Sequence, residues 1–239
     1  RSGIRPDGAE LLPAAAALAD GAELVGVLTH AGDSYECKST AEIEAAAEAE
    51  RAGIVLAAER LRAAGHIVKI VSAGSTPTLM FAKDETGVTE MRAGVCALFD
   101  LFMSNVGACT VDDIAGSVLA TVIGRQVDKR RVILDCGFLA LSRDRGTARQ
   151  THDYGYGLVC GIDGKPLADG TIVLTGTNQE HGILTLPENS PLTQEDFPIG
   201  RRLRILPNHA CPTAAPYASL VLIENGRVAE VLDHVRGWD

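Results

Sequence analysis

A histidine and a cysteine two residues apart, His209-Ala210-Cys211, follow the short apolar run Arg204-Ile205-Leu206 and the turn Pro207-Asn208. In an extended chain, positions i and i+2 point to the same face, so the imidazole and the thiol are expected to close on one ion. A thiolate with an imidazole suits zinc better than magnesium or calcium. Two protein ligands leave coordination positions open, which is the catalytic rather than the structural pattern. Most pairs with this spacing bind nothing, so the assignment leans on the rest of the chain.

Four further groups carry possible chemistry, each with a plain alternative. Gly74-Ser75-Thr76 is expected at the C-terminal end of a parallel strand, where amides and hydroxyls either cradle a phosphate or cap an ordinary strand-to-helix turn. His30 and Tyr35 lie in the loop after another strand, at the same expected rim. There they contact a cofactor, His30 by stacking or polarising and Tyr35 by a hydrogen bond, or they form a locally packed loop. Glu180-His181-Gly182 sets a carboxylate beside an imidazole, either to orient a metal ligand or substrate group or as a common tripeptide. Asp135 in Asp135-Cys136-Gly137 reads as a turn-former. The sequence has no nucleophile elbow, Walker loop or dinucleotide fingerprint.

The elements that must position these groups fall into two halves. An Ala-rich helix over 10–20, a buried strand over 23–28, a polar loop over 29–39 and a long Ala/Glu helix over 40–64 stopped by Gly65 open the chain. Strands are expected over 67–72 and 95–99, with the loop 73–78 after the first. This alternation predicts a parallel α/β unit. Short strands are then expected over 114–123, 131–134, 155–162, 171–175, 202–206 and 219–224, with turns at Asp163-Gly164-Lys165-Pro166 and Glu224-Asn225-Gly226-Arg227. The expected fold class is α/β, with residues 1–105 forming an α/β part and residues 106–239 a mainly antiparallel β domain that carries the His-x-Cys pair.

With 239 residues, 46% apolar and 22% charged, the chain can bury a substantial core. A net charge of −9 argues against a general nucleic-acid or anionic-membrane binder, while leaving room for a small anion in a local pocket. Six cysteines without CxxC spacing read as reduced thiols of a cytoplasmic protein. No signal peptide or membrane-length apolar run is seen. The sequence begins at Arg1 rather than Met, as if cut from a longer chain.

The ordered set His30-x-Gly32-x-Ser34-Tyr35, Ser72-Ala73-Gly74-Ser75-Thr76-Pro77-Thr78, Arg92-x-Gly94 with Asp100, Asp135-Cys136-Gly137 with Leu141-Ser142, Glu180-His181-Gly182, Pro207-Asn208-His209-Ala210-Cys211 and Val235-Arg236-Gly237-Trp238 resembles the D-threonine aldolase and D-serine dehydratase family. The resemblance covers nearly the whole chain. It implies an alanine racemase-like fold: part of a pyridoxal 5'-phosphate-binding α/β (TIM-type) barrel followed by the β domain. It implies His30, Tyr35, Gly74, Ser75 and Thr76 as cofactor-binding residues, His209 and Cys211 as zinc ligands acting in catalysis, His181 as a further catalytic residue, and a homodimer. His-x-Cys rather than His-x-Asp points to the dehydratase branch. The implied reaction releases ammonia and a 2-oxo acid from a D-3-hydroxy amino acid such as D-serine or D-threo-3-hydroxyaspartate.

The sequence departs from the family pattern in three places. Leu28 stands where the family often has Tyr, and Leu139 where it often has Lys. The Schiff-base lysine has no match among Lys38, Lys69, Lys83, Lys129 and Lys165, so an N-terminal part of the barrel is expected outside this sequence. Two alternatives stay open: a metal-dependent retro-aldol cleavage giving glycine, and a non-catalytic fragment or relic.

Overall fold

The computed structural model describes residues 3–18 and 21–235. The last two positions of the expected first helix, and Arg236-Gly237-Trp238 of the closing motif, lie outside the described residues. The chain divides into two compact units, Arg1–Cys96 with Val106–Ala108 and Ala97–Asn105 with Cys109–Asp239.

The first unit contains α1 (Leu11–Leu18), β1 (Gly26–Leu28), α2 (Thr40–Ala63), β2 (Ile70–Ala73), α3 (Thr76–Phe81) and β3 (Glu90–Met91). The three strands pair in parallel in the order β1-β2-β3. Helix α2 starts at Ser39, whose hydroxyl accepts from the Glu42 amide. It ends on Gly65 at φ +91, with His66 N donating to Leu61 O and Gly65 N to Arg62 O, the paired bonds of a Schellman stop. Its buried stripe is Ile43, Ala47, Glu50, Ile54, Ala57, Ala58 and Leu61. That face meets Leu11, Ala15, Val68, Val71 and Ala73 in the core of the unit. A carboxylate therefore stands within an otherwise apolar stripe.

In the second unit, α4 (Leu101–Asn105), β4 (Val118–Gln126), β5 (Arg131–Leu134), α5 (Phe138–Leu141), β6 (Leu158–Cys160), β7 (Gly176–Thr177), β8 (Gly182–Thr185), β9 (Arg202–Leu206), α6 (Ala210–Ala214), β10 (Ser219–Glu224) and β11 (Arg227–Asp233) follow. Six strands form an antiparallel sheet in the order β6-β9-β4-β5-β8-β7. Alternation sets the core: Val118, Ala120 and Val122 of β4 turn inward with Val132, Leu134, Leu184, Leu203 and Ile205, while Leu119 is exposed. The β10–β11 hairpin turns through Asn225 and Gly226, both at positive φ, as a tight two-residue connection requires.

Three strand expectations need correction. The first strand is confined to Gly26–Leu28 and is not buried: its residues are half-buried, apart from an exposed Leu28. The third strand lies at Glu90–Met91, not 95–99. Arg92 N donates to Ala73 O in register with β2, and Thr76 Oγ1 then draws the Val95 amide away at 3.0 Å. Residues 171–175 make isolated bridges to Gly155 and Leu158 rather than a strand, because Gly155 and Gly157 at positive φ interrupt the register.

Candidate active site

The His209–Cys211 segment is not extended. His209 is the N-cap of α6 (φ −137°, ψ 110°), and Cys211 sits in the first helical turn. Pro212 fits there, since the first turn needs no donor from it. The helix begins at this point because the buried Asp100 carboxylate accepts the Ala210 amide at 2.8 Å, and through its other oxygen the Met103 amide at 3.0 Å. One side chain thus caps both α4 and α6. Thr213 Oγ1 donates to His209 O and Leu141 O, tying α6 to the end of α5. The imidazole and the thiol still lie close enough to interact, Cys211 being one of the groups that raise the His209 ring.

On its other side, His209 Nδ1 meets Asp144 Oδ2 at 2.8 Å. Asp144 Oδ1 accepts Gly146 N at 2.8 Å, so both carboxylate oxygens are held. Asn208, buried next to the histidine, donates to Asp144 O at 2.9 Å and to Gly155 O at 2.7 Å. The chain reaches Asp144 through Ser142 at φ 106°, ψ 168°, a conformation that costs a non-glycine residue roughly 1–3 kcal/mol. The Phe102 ring stands edge-on to His209 at 5.7 Å between centroids. It also covers Gly146 so closely that a Cβ there would fall 1.7 Å from its tip.

Electrostatics follow from these contacts. The Asp144 bond, then the Cys211 thiol, push the metal-free imidazole up to about 10, against the opposing effect of burial. The same bond holds Asp144 below the usual carboxylate range. Burial raises Asp100, partly offset by the two amides it accepts. Cys136 and Cys160, sealed in the core, are pushed up to about 12 by burial, as expected of inert structural thiols.

In the first unit, the C-terminal ends of β1 and β2 lie side by side, with Thr29 N donating to Ser72 O at 3.0 Å. His30 Nδ1 lies 3.3 Å from Gly74 O, and its ring is 5.9 Å from that of Tyr35. His30, Tyr35 and Gly74 are therefore brought together. Gly74, at φ +125°, runs so close to Arg92 that a Cβ would meet its carbonyl oxygen at 2.7 Å. The Ser75 and Thr76 side chains are buried and turn inward. Ser75 Oγ bonds Ser34 and Thr78, both at 3.0 Å, and Thr76 Oγ1 holds Val95 N. Glu50 Oε1 accepts Ala31 N at 3.0 Å and Gly74 N at 3.2 Å, while Oε2 accepts Thr78 Oγ1 at 2.7 Å. Arg92 reaches Ser72 Oγ, Gly74 O and Thr29 O.

His181 lies before β8, its carbonyl accepting Asn178 N at 2.8 Å and its side chain exposed. The same turn lines an open cleft with Phe138, Arg143 and Tyr156. No described contact joins His181 to His209.

The donor set of the second unit fits a metal: a thiol, and an imidazole whose Nδ1 is already bonded, leaving Nε2 to coordinate. Among the described residues no three His, Cys, Asp or Glu side chains converge, so His209 and Cys211 are a two-ligand set. At the rim of the first unit the Ser75 and Thr76 hydroxyls, the Gly74 and Ser75 amides and the Arg92 guanidinium are all bonded within the protein, so the turn offers an anion the Thr76 amide and the positive charge of Arg92 behind it. Asp144 and Glu50 went unnoticed in the sequence. Glu50 carried a signal, a carboxylate at a core position of the α2 stripe; Asp144 carried none, since 65 residues separate it from its partner.

A putative serine dehydratase domain matches residues 115–223, and an alanine racemase N-terminal domain matches residues 1–101. D-threo-3-hydroxyaspartate dehydratase of Delftia sp. (strain HT23) is 50% identical over 242 residues, covering 100% of this chain and 63% of the relative. Its solved structure superposes with a TM-score of 0.90 at 51% identity, over 100% of this chain and 63% of that one. A cysteine-to-alanine mutant of that dehydratase in the metal-free form gives 0.89 at 50% identity, over the same shares. D-serine dehydratase of Dictyostelium discoideum is 30% identical over 204 residues, 84% of this chain and 51% of the relative. The chain thus spans less than two thirds of the length of these relatives. No helix among the described residues is long and apolar enough to cross a membrane.

Proposed function

The chain belongs to the putative serine dehydratase family with an alanine racemase-like fold, and on that premise we propose that its protein is a pyridoxal phosphate- and zinc-dependent lyase. It removes water from a D-3-hydroxy amino acid and releases a 2-oxo acid and ammonia. The 50% identity to the Delftia enzyme favours D-threo-3-hydroxyaspartate as substrate, with D-serine second. The observation that carries this reading is the imidazole–thiol pair of His209 and Cys211, fastened from behind by Asp144.

His209 and Cys211 hold the metal, and the softness of the thiolate selects zinc. The chemistry a zinc ion supplies there is Lewis acidity toward the substrate 3-hydroxyl. Gly74, Ser75 and Thr76 form the turn that meets the cofactor phosphate, with the Thr76 amide as its donor because the Gly74 and Ser75 amides bond Glu50 and Thr78 Oγ1, and His30 and Tyr35 contact the ring. The chemistry pyridoxal phosphate supplies when bound is an electron sink for charge developing at Cα. Glu50 keeps the His30 and Ser75 loops in place by bonding the Ala31 and Gly74 amides. His181 serves the substrate from the Asn178–Gln179 turn.

Product analysis of the full-length protein tests the assignment. D-threo-3-hydroxyaspartate should give oxaloacetate and ammonia in equal amounts. Glycine with an aldehyde would instead establish aldol cleavage and overturn it.

A further inference from the structure

We propose that Asp144 is the residue that positions His209, holding the ring through Nδ1 so that Nε2 faces the metal, without being a ligand itself. The inference rests on reading His209 and Cys211 as a metal pair.

Three sets of contacts point to this role. The Asp144 carboxylate is used at both oxygens, Oδ2 on His209 Nδ1 and Oδ1 on Gly146 N, each at 2.8 Å, so it is held from two sides. Its main chain is anchored from the residue beside the histidine. Asn208 Nδ2 donates to Asp144 O at 2.9 Å, so carboxylate and imidazole hang from neighbouring points. Asp144 N donates to Ser142 Oγ at 3.2 Å, and Ser142 is the residue bent to φ 106°. Strain at that position is sustained because it delivers Asp144 to the ring. Phe102, edge-on to His209, closes a further side. The ring is therefore fixed in tilt before a metal arrives, and the Asp144 bond keeps the proton on Nδ1 when Nε2 gives its proton up to the metal. A carboxylate on the distal nitrogen also strengthens the other nitrogen as a donor.

Replacing the carboxylate by an amide separates orientation from packing. In Asp144→Asn either the amide oxygen faces Nδ1 and the charge is lost, or the NH2 faces it. The second arrangement makes Nδ1 an acceptor and places the proton on Nε2, the nitrogen the metal needs. Both weaken binding.

The experiment uses the full-length protein, stripped of metal and titrated with Zn2+ against a chelator of known affinity. Asp144→Asn should bind one zinc per chain with an affinity about 10- to 100-fold below wild type. Cobalt substitution should retain the thiolate charge-transfer band in Asp144→Asn at saturation and lose it in Cys211→Ala. Wild-type zinc affinity in Asp144→Asn overturns the proposal while leaving the metal pair intact. A wild-type protein that binds no zinc removes the metal reading and this proposal with it. A second measurement does not depend on the variant folding. In wild type loaded with 113Cd and 15N-histidine, the cadmium coupling should fall on Nε2 of His209 and the proton on Nδ1. Coupling to Nδ1 overturns the proposal.

Discussion

Replacing Glu50 by Ala removes the acceptor shared by two loops that neighbour no common stretch of sequence. Its carboxylate, 8% exposed, takes the Ala31 amide at 3.0 Å, the Gly74 amide at 3.2 Å and the Thr78 hydroxyl at 2.7 Å. Each buried donor left unpaired costs about 1–3 kcal/mol. Water entering the space and release of a buried carboxylate offset part of the sum, so a net loss of about 3 kcal/mol is expected. In thermal unfolding of a protein longer than this chain this corresponds to a drop of roughly 4–8 °C. Glu50→Gln keeps an oxygen for the two amides and lets the Thr78 hydroxyl turn to accept, so its loss should be about 1 kcal/mol. Because the Ala31 and Gly74 loops carry His30 and Ser75, Glu50→Ala should also bind pyridoxal phosphate more weakly, read as a raised Kd in cofactor titration. A melting temperature within about 2 °C of wild type for Glu50→Ala would refute the reasoning, because the buried Gly74 and Thr78 donors and the half-buried Ala31 amide cannot all lose their acceptor at so small a cost.

Cys211→Ala should lose its zinc by elemental analysis while keeping a wild-type circular dichroism spectrum; full zinc retention would contradict the assignment. Chelation should stop ammonia release and leave the visible cofactor band, with activity restored by zinc; a verified metal-free enzyme that still works at full rate would count against a metal on the substrate hydroxyl. Gly146→Ala should lose about 1–3 kcal/mol of stability in denaturant unfolding, because the new Cβ meets Phe102 at 1.7 Å, and unchanged stability would show that Phe102 has room to move. In alkylation at pH 8 followed by mass spectrometry, exposed Cys96 and Cys211 should react, Cys211 only after zinc removal. Cys136 and Cys160, with thiols pushed up to about 12, should stay unlabelled until the protein is denatured.

Periodicity made the long elements legible. Helix α2 announced itself through the Ala/Glu run and Gly65, and β5, β9 and β10 through short apolar runs between turns. The short helices α4, α5 and α6 were not legible; α6 depends on a cap supplied from afar, since Ala210 owes its acceptor to a residue 110 positions away. The two-residue strand β3 was misplaced because Val95–Phe99 is the more strand-like run, while backbone bonds from Thr89 and Arg92 to β2 decide the pairing. Within the site, residue types and order pointed to His209 with Cys211 and to the His30 and Gly74 loops. The argument from an extended chain used the wrong geometry, since His209 caps a helix whose first turn holds Cys211.

The double duty of Asp100 ties the start of α6 to a distant part of the second unit. Helices α4 and α6 are each five residues long, too short to persist alone in water. The α4 cap is local, from Asp100 to Met103, but α6 gains its cap only when residues 100 and 210 meet across 110 positions. The start of α4 is held there by the end of β9, with Leu101 N donating to Pro207 O and Phe102 N to Asn208 O. The conformation of the His209–Cys211 segment is therefore a property of the folded second unit rather than of the local sequence, and any ligand that needs both side chains at once meets them only there.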